Sequence, residues 1–214
     1  LRIKDTVSAD EAAKQAEQVH NYTVDRVGMS FSMDGIAVQN ESGDAATFVA
    51  CIQAIKSKTD LPLILMATDP AVMGAALEQA ADGRPAIYAA TKDNIDQMIE
   101  LAKKHNVPLA IRSENGLDEL AELSEKAQAA GLEDLILDPG TRDFGDSLVT
   151  LTQMRRLAIK QAFRPMGYPA ITFPGETAST VNEETLLAGQ YIAKYGSIVV
   201  LDHFLEASIY PLIT

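Results

Sequence analysis

The sequence predicts a (β/α)8 barrel of the TIM type, and three observations carry that expectation. Short apolar runs alternate with amphipathic segments of helical period along the whole chain, about seven of each, and such alternation folds as a parallel sheet with crossover helices. No G-x-G-x-x-G and no G-x-x-x-x-G-K-[ST] turn occurs, which argues against an open, doubly wound nucleotide-binding sheet. No linker or low-complexity segment divides residues 1–214, so a single domain is expected. Seven strands are one short of eight, and the first clear element is a helix. The chain is therefore expected to be a fragment that begins at Leu1 without its first strand, leaving a free edge beside Val27 to Ser32.

The elements follow in order. Ser8-Ala-Asp-Glu11 has the form of a capping box, with Ala12, Ala16 and Val19 on one face of the helix behind it. Val27 to Ser32 reads as a strand, and Met33 to Gly43 as a polar excursion. Phe48, Val49, Ile52 and Ile55 mark the second helix. Leu61 to Met66 is continuously apolar, as a parallel strand buried on both faces must be. Asp69-Pro70 opens the third helix, with Asp at the N-cap and Pro in the first turn. The strand Ala86 to Ala89 precedes a helix capped by Thr91, with Ile95, Met98, Ile99 and Ala102 buried. Pro108 to Ile111 is a strand. The helix after it carries Leu117, Leu120, Ala121 and Ala127 and stops at Gly131. Leu135 to Leu137 ends at Asp138-Pro139-Gly140, where proline lacks a donor and restricts the residue before it. Next comes a helix with Leu148, Leu151, Met154 and Ala158, then the strand Pro169 to Phe173. Thr180-Val-Asn-Glu183 is a second capping box, and Ser197 to Leu201 is the last strand. The tail from Phe204 to Thr214 is apolar without clear period.

Composition limits the partners. A formal net charge of −12 repels nucleic acid and anionic membrane. No apolar run approaches the roughly 20 residues that span a bilayer. The lone Cys51 falls on an apolar helix face, where a buried small hydrophobe is expected; one thiol makes no internal disulfide, so the cytoplasm is the expected compartment.

Barrels keep function on the rim formed by the C-terminal strand ends. The residues placed there are Asp34, Asp69, Arg112, Glu114, Asn115, Asp138, Thr141, Arg142, Asp143, Glu176, Asp202 and His203. The longest and most polar loop is the one after Leu137. Asp69 also reads as a helix cap, Asp138 as a turn former, and Arg112 as the partner of Glu114 or Asp138. Arg142 reads as a surface cation, so Arg142→Ala is expected to change stability by no more than about 0.5 kcal/mol. His203 has no second histidine or cysteine beside it, which disfavours zinc. No G-x-S-x-G elbow and no strand-terminal lysine is present. From the residues alone the chain is an acidic barrel with a carboxylate-rich rim.

Five runs add to this. Tyr22-Thr-Val-Asp-Arg-Val-Gly-Met-Ser-Phe31, Thr59-Asp-Leu-Pro-Leu-Ile-Leu65, Arg84-Pro-Ala-Ile-Tyr-Ala-Ala-Thr91, Leu137-Asp-Pro-Gly-Thr-Arg142 and Ala207-Ser-Ile-Tyr-Pro-Leu212 occur in that order. Together they resemble the large (gamma) subunit of the corrinoid iron–sulfur protein of the acetyl-CoA pathway, over essentially the whole chain. The resemblance implies the central barrel of a protein that also carries a cysteine-ligated [4Fe–4S] domain and a cobamide-binding domain. It implies a smaller partner subunit, a methyltransferase that supplies a methyl group from methyl-tetrahydrofolate or an archaeal pterin, and delivery to acetyl-CoA synthase. The cluster cysteines and a D-x-H-x-x-G cobalamin signature are missing from this chain, so residues 1–214 are expected to bind neither cofactor tightly. The expected role is scaffold and docking face. The rival expectation is a pterin-binding barrel methyltransferase, with Asp69 and Asp138 as pocket carboxylates. Against it, the strand ends at Ala89-Ala90 and Thr172-Phe173 offer no asparagine.

Overall fold

The computed structural model describes all 214 residues. Eight parallel strands form one curled sheet: β1 (Arg2–Lys4), β4 (Ile36–Gln39), β5 (Leu63–Met66), β6 (Ala86–Ala90), β7 (Leu109–Arg112), β8 (Leu135–Asp138), β9 (Ala170–Thr172) and β10 (Gly196–Val199). Between β1 and β4 lies an antiparallel hairpin of β2 (Thr23–Arg26) and β3 (Met29–Ser32) that stands outside this sheet. Eight helices alternate with the strands: α1 (Ala9–Asn21), α2 (Ala45–Lys56), α3 (Pro70–Ala80), α4 (Ile95–His105), α5 (Leu117–Ala129), α6 (Phe144–Lys160), α7 (Val181–Ala193) and α8 (Glu206–Ile213).

Two sequence expectations are corrected. The first barrel strand is supplied by Arg2–Lys4, which pairs with β4 in parallel register Arg2↔Ala37; no outside strand is needed. Its three residues are too short to show a period of two. The segment Val27 to Ser32 belongs to the hairpin, and the barrel strand is Ile36–Gln39, inside the stretch read as a polar excursion. Asp34 consequently precedes its strand and lies at the opposite end from the predicted rim. Smaller differences are local. Asn94, not Thr91, is the N-cap of α4, its side chain accepting from the Thr91 N–H at 2.7 Å. The apolar tail forms α8.

The seam between β10 and β1 closes through the Arg2 N–H, which donates to the Leu201 carbonyl at 2.7 Å. Two apolar layers result. One lies between sheet and helices and includes Ile3, Phe48, Ile52, Leu65, Met98 and Leu137. The other fills the barrel with inward residues, among them Met66, Tyr88, Ala110, Ile136, Ile171, Phe173 and Val200. Alternation along each strand separates the two sets, as a period of two requires. Cys51 is buried in the outer layer, and that burial pushes its thiol up to about 11.

Local chemistry sets the helix starts. Ser8 Oγ accepts from the Glu11 N–H at 3.2 Å and Asp69 from the Ala71 N–H at 2.8 Å. Thr180 Oγ1 accepts from the Glu183 N–H at 3.2 Å, while the Glu183 carboxylate reaches back to the Ser179 N–H, one residue beyond the expected box.

Candidate functional site

The inward positions at the C-terminal strand ends include Tyr88, Arg112 and Asp138. Because β7 and β8 run in register Arg112↔Asp138, both side chains meet the mouth at one level. Asp138 is fully buried. Arg142, one helical turn's length further along the loop, returns over it and forms a two-pronged pair: Nη1 to Oδ1 at 2.9 Å and Nη2 to Oδ2 at 2.8 Å. The Tyr88 hydroxyl donates to Oδ2 at 2.7 Å, and the Gly140 N–H donates to Oδ1 at 2.8 Å.

The charges continue along the rim in alternating sign. Arg142 Nε donates to Glu176. The other oxygen of Glu176 accepts from Arg2 Nη1 at 2.9 Å, and Arg2 Nε donates to Asp202 at 2.8 Å. Both guanidinium groups lie over the Phe173 ring, at 5.1 Å for Arg142 and 5.8 Å for Arg2, within cation–π range. Behind this chain, the buried Glu184 accepts from the Asp202 N–H and meets His203 Nδ1 at 2.7 Å. The Asp5 carboxylate, also buried, ties down the next loop through the Glu41 and Ser42 N–H groups at 2.9 Å each.

Electrostatics follow from burial and partners. Burial opposes the charge on Arg142, yet its bonds to Asp138 and then Glu176 outweigh that cost and raise its pKa. Burial, with the Asp138 charge second, raises the Tyr88 phenol well above its usual value. At neutral pH the mouth therefore holds a charged arginine beside a neutral phenol.

The predicted rim residues divide into three groups. Asp138, Arg142, Glu176 and Asp202 are joined in one network, with Thr141 contributing its carbonyl to Arg142 at 3.2 Å. Asp69, Asp143 and Asn115 act locally: the first two are helix caps, and Asn115 bonds Glu119 at 3.0 Å. Arg112 pairs with Glu114 rather than Asp138. Asp34 lies at the other end, and His203 is an exposed imidazole on Glu184. Sequence reading missed Arg2, Tyr88 and Glu184. A tyrosine in the otherwise small-residue strand Ala-Ile-Tyr-Ala-Ala was the available signal, because a buried hydroxyl must find a partner. Arg2 gave none, lying in a strand too short to recognise.

Iron–sulfur clusters are held by several Cys thiolates. The one cysteine here is buried in α2, and no group of three or more His, Cys, Asp and Glu side chains is placed to hold a metal ion. The residues of this chain do not fit that cluster.

A closed parallel barrel whose C-terminal mouth is sealed by an ion-pair network defines the class. In overall shape it is similar to dihydropteroate synthases. The enzyme of Thermus thermophilus, solved in complex with 6HMPPP, superposes with TM-score 0.67 at 18% identity, covering 99% of this chain and 89% of that one. The Coxiella burnetii enzyme in complex with pteroic acid gives 0.68 at 13% identity, covering 99% of this chain and 89% of that one. At such identities the likeness is one of fold. The CO dehydrogenase/acetyl-CoA synthase delta subunit family model matches residues 1–214, and the chain belongs to that family. It is 40% identical over 214 residues, 100% of its length, to the corrinoid/iron-sulfur protein large subunit of Moorella thermoacetica. It is 34% identical over 215 aligned positions, 94% of its length, to the acetyl-CoA decarbonylase/synthase complex subunit gamma 2 of Methanosarcina thermophila. The chain spans 47% and 45% of these two relatives. No helix is long and apolar enough to cross a membrane.

Proposed function

We propose that this chain is the barrel of a corrinoid iron–sulfur methyl carrier of the acetyl-CoA pathway, working in the cytoplasm. In this reading the carrier takes a methyl group from methyl-tetrahydrofolate through a methyltransferase and passes it to acetyl-CoA synthase. The barrel is the rigid scaffold and docking face, pairs with a smaller subunit, and performs no covalent step. The cobamide and the [4Fe–4S] cluster are held by parts of the carrier outside residues 1–214.

One observation carries the choice of scaffold over enzyme. A carboxylate offers about four lone-pair sites, and Asp138 already accepts four donors from Arg142, Tyr88 and Gly140. A pterin's N–H groups would find no free acceptor there unless Arg142 left. The rim also holds three buried groups without partners within the chain, Gln39 Oε1, Arg112 Nε and Thr141 Oγ1.

The second reading, a pterin-binding barrel enzyme, draws on the shape shared with dihydropteroate synthases, one of them solved with 7,8-dihydropteroate. Calorimetric titration of this chain with methyl-tetrahydrofolate separates the two. No saturable heat at micromolar concentrations is expected, and micromolar binding abolished by Asp138→Asn would establish the enzyme instead.

A further inference from the structure

The charge of this acidic molecule is unevenly spread. Residues 147–169 carry Arg155, Arg156, Lys160 and Arg164 with no Asp or Glu, and residues 185–197 carry Lys194 with none. All five cations are exposed, and none forms an ion pair within the chain. In a molecule of net charge −12 this is a local reversal of sign.

The same region holds a groove of about 710 Å³ between the second half of α6, the approach to β9 and the start of β10. It lies at the N-terminal ends of the strands, away from the ion-pair network. Its floor is apolar, with Leu151, Met154 and Met166. Its edges are Arg155, Arg164, Tyr168 and Tyr195. Each arginine lies over a tyrosine: Arg164 is 4.5 Å from the Tyr168 ring and Arg155 is 5.8 Å from that of Tyr195. A cation–π contact of this kind places the guanidinium over the ring, and no carboxylate of the chain pairs with its N–H groups.

Tyr195 adds a separate argument. Its φ is +72°, a conformation that suits glycine and is unusual for a bulky residue. The residue is 47% exposed, so burial only partly offsets that backbone cost. Of the five non-glycine residues with positive φ, Tyr195 and Ala162 both line this groove.

We propose that this groove docks an acidic segment with an apolar anchor, contributed by the separate smaller subunit that partners this chain. Apolar floor, aromatic edge and arginine are the composition of an interface hot spot. Two guanidiniums held over aromatic rings match carboxylates, and the unpaired cations around them attract an acidic partner over a Debye length. The inference rests on the proposed reading of the chain as a subunit of a carrier, and it concerns the opposite face from the rim.

The test uses the complete large subunit and its small subunit, with association measured by calorimetry. Arg155→Glu/Arg164→Glu is expected to weaken association at least tenfold and to flatten its dependence on salt. Tyr195→Gly relieves the backbone, so it is expected to raise the melting temperature while weakening association several-fold. A merely structural Tyr195 would give a lower melting temperature instead. If both variants associate as the wild type does, the proposal is overturned, whether the groove stays open or is covered by another segment of the same polypeptide. Should the double variant fail to fold, the Tyr195→Gly result decides alone. Folate titration, which tests the role of the rim, is unaffected by either outcome.

Discussion

Arg142 closes the barrel mouth with one side chain. It is 14% exposed and its partner Asp138 is 0% exposed, so truncation would leave a buried carboxylate without its counter-charge. The expected cost of Arg142→Ala is about 3–5 kcal/mol, well above the fraction of a kcal/mol that a surface cation would give. Urea denaturation measures it. Replacing both partners by apolar residues, Asp138→Leu/Arg142→Met, should cost less than either single change, because desolvation and attraction then disappear together. Tyr88 gives a prediction in the alkaline range. Its folded pKa is raised, so above about pH 10 the unfolded chain loses this proton while the folded chain keeps it. Stability is thus fully present below the unfolded value and falls as pH rises beyond it. Absorbance near 295 nm should show the buried tyrosines, Tyr88 and Tyr191 among them, ionising only with unfolding, and Tyr88→Phe should reduce that step by one of the six tyrosines.

The loop after β8 shows how an element is fixed by its neighbours. Gly140 has φ +72°, and a Cβ there would stand 2.2 Å from the Ser113 carbonyl oxygen. Gly140→Ala is expected to lower stability by at least about 1 kcal/mol from the backbone alone, with the clash adding to it. A lower denaturation midpoint with an unchanged slope would show it. This loop was legible in sequence, since Asp-Pro-Gly ends a strand by local chemistry. So were the caps at Ser8, Asp69 and Thr180, which need only three or four residues to specify. The hairpin was not. Met29 to Ser32 has the polar and apolar alternation of a half-buried strand, whereas Ile36 to Gln39 is short and set in polar surroundings. Only the register with β1 and β5 shows which of the two belongs to the barrel. Asp34 was placed on the wrong rim for that reason. The network had a different limit. Asp138, Arg142, Glu176 and Asp202 were each recognised as rim residues, but which of them touch depends on closure of the sheet, and Arg2 enters only through that closure.

At the scale of the whole molecule, the seam between β10 and β1 is unlike the other strand boundaries. The Arg2 side chain and Asp202 are 200 residues apart in sequence, while β6 through β8 pair with strands only one crossover away. Joining distant parts of a chain costs conformational entropy that grows with the logarithm of the loop. An open, curled sheet of neighbouring strands can form before that cost is met. The clamp of Arg2 on Asp202 and Glu176 is accordingly expected to be absent from the folding transition state and present only in the native barrel. Arg2→Ala should then leave the refolding rate nearly unchanged and place its whole effect on unfolding. A chevron plot would show the unfolding limb displaced and the folding limb in place, whereas a slowed folding limb would make the seam part of the nucleus. The clamp that shapes the rim is, on this view, a latch that sets how long the closed barrel lasts once it has formed.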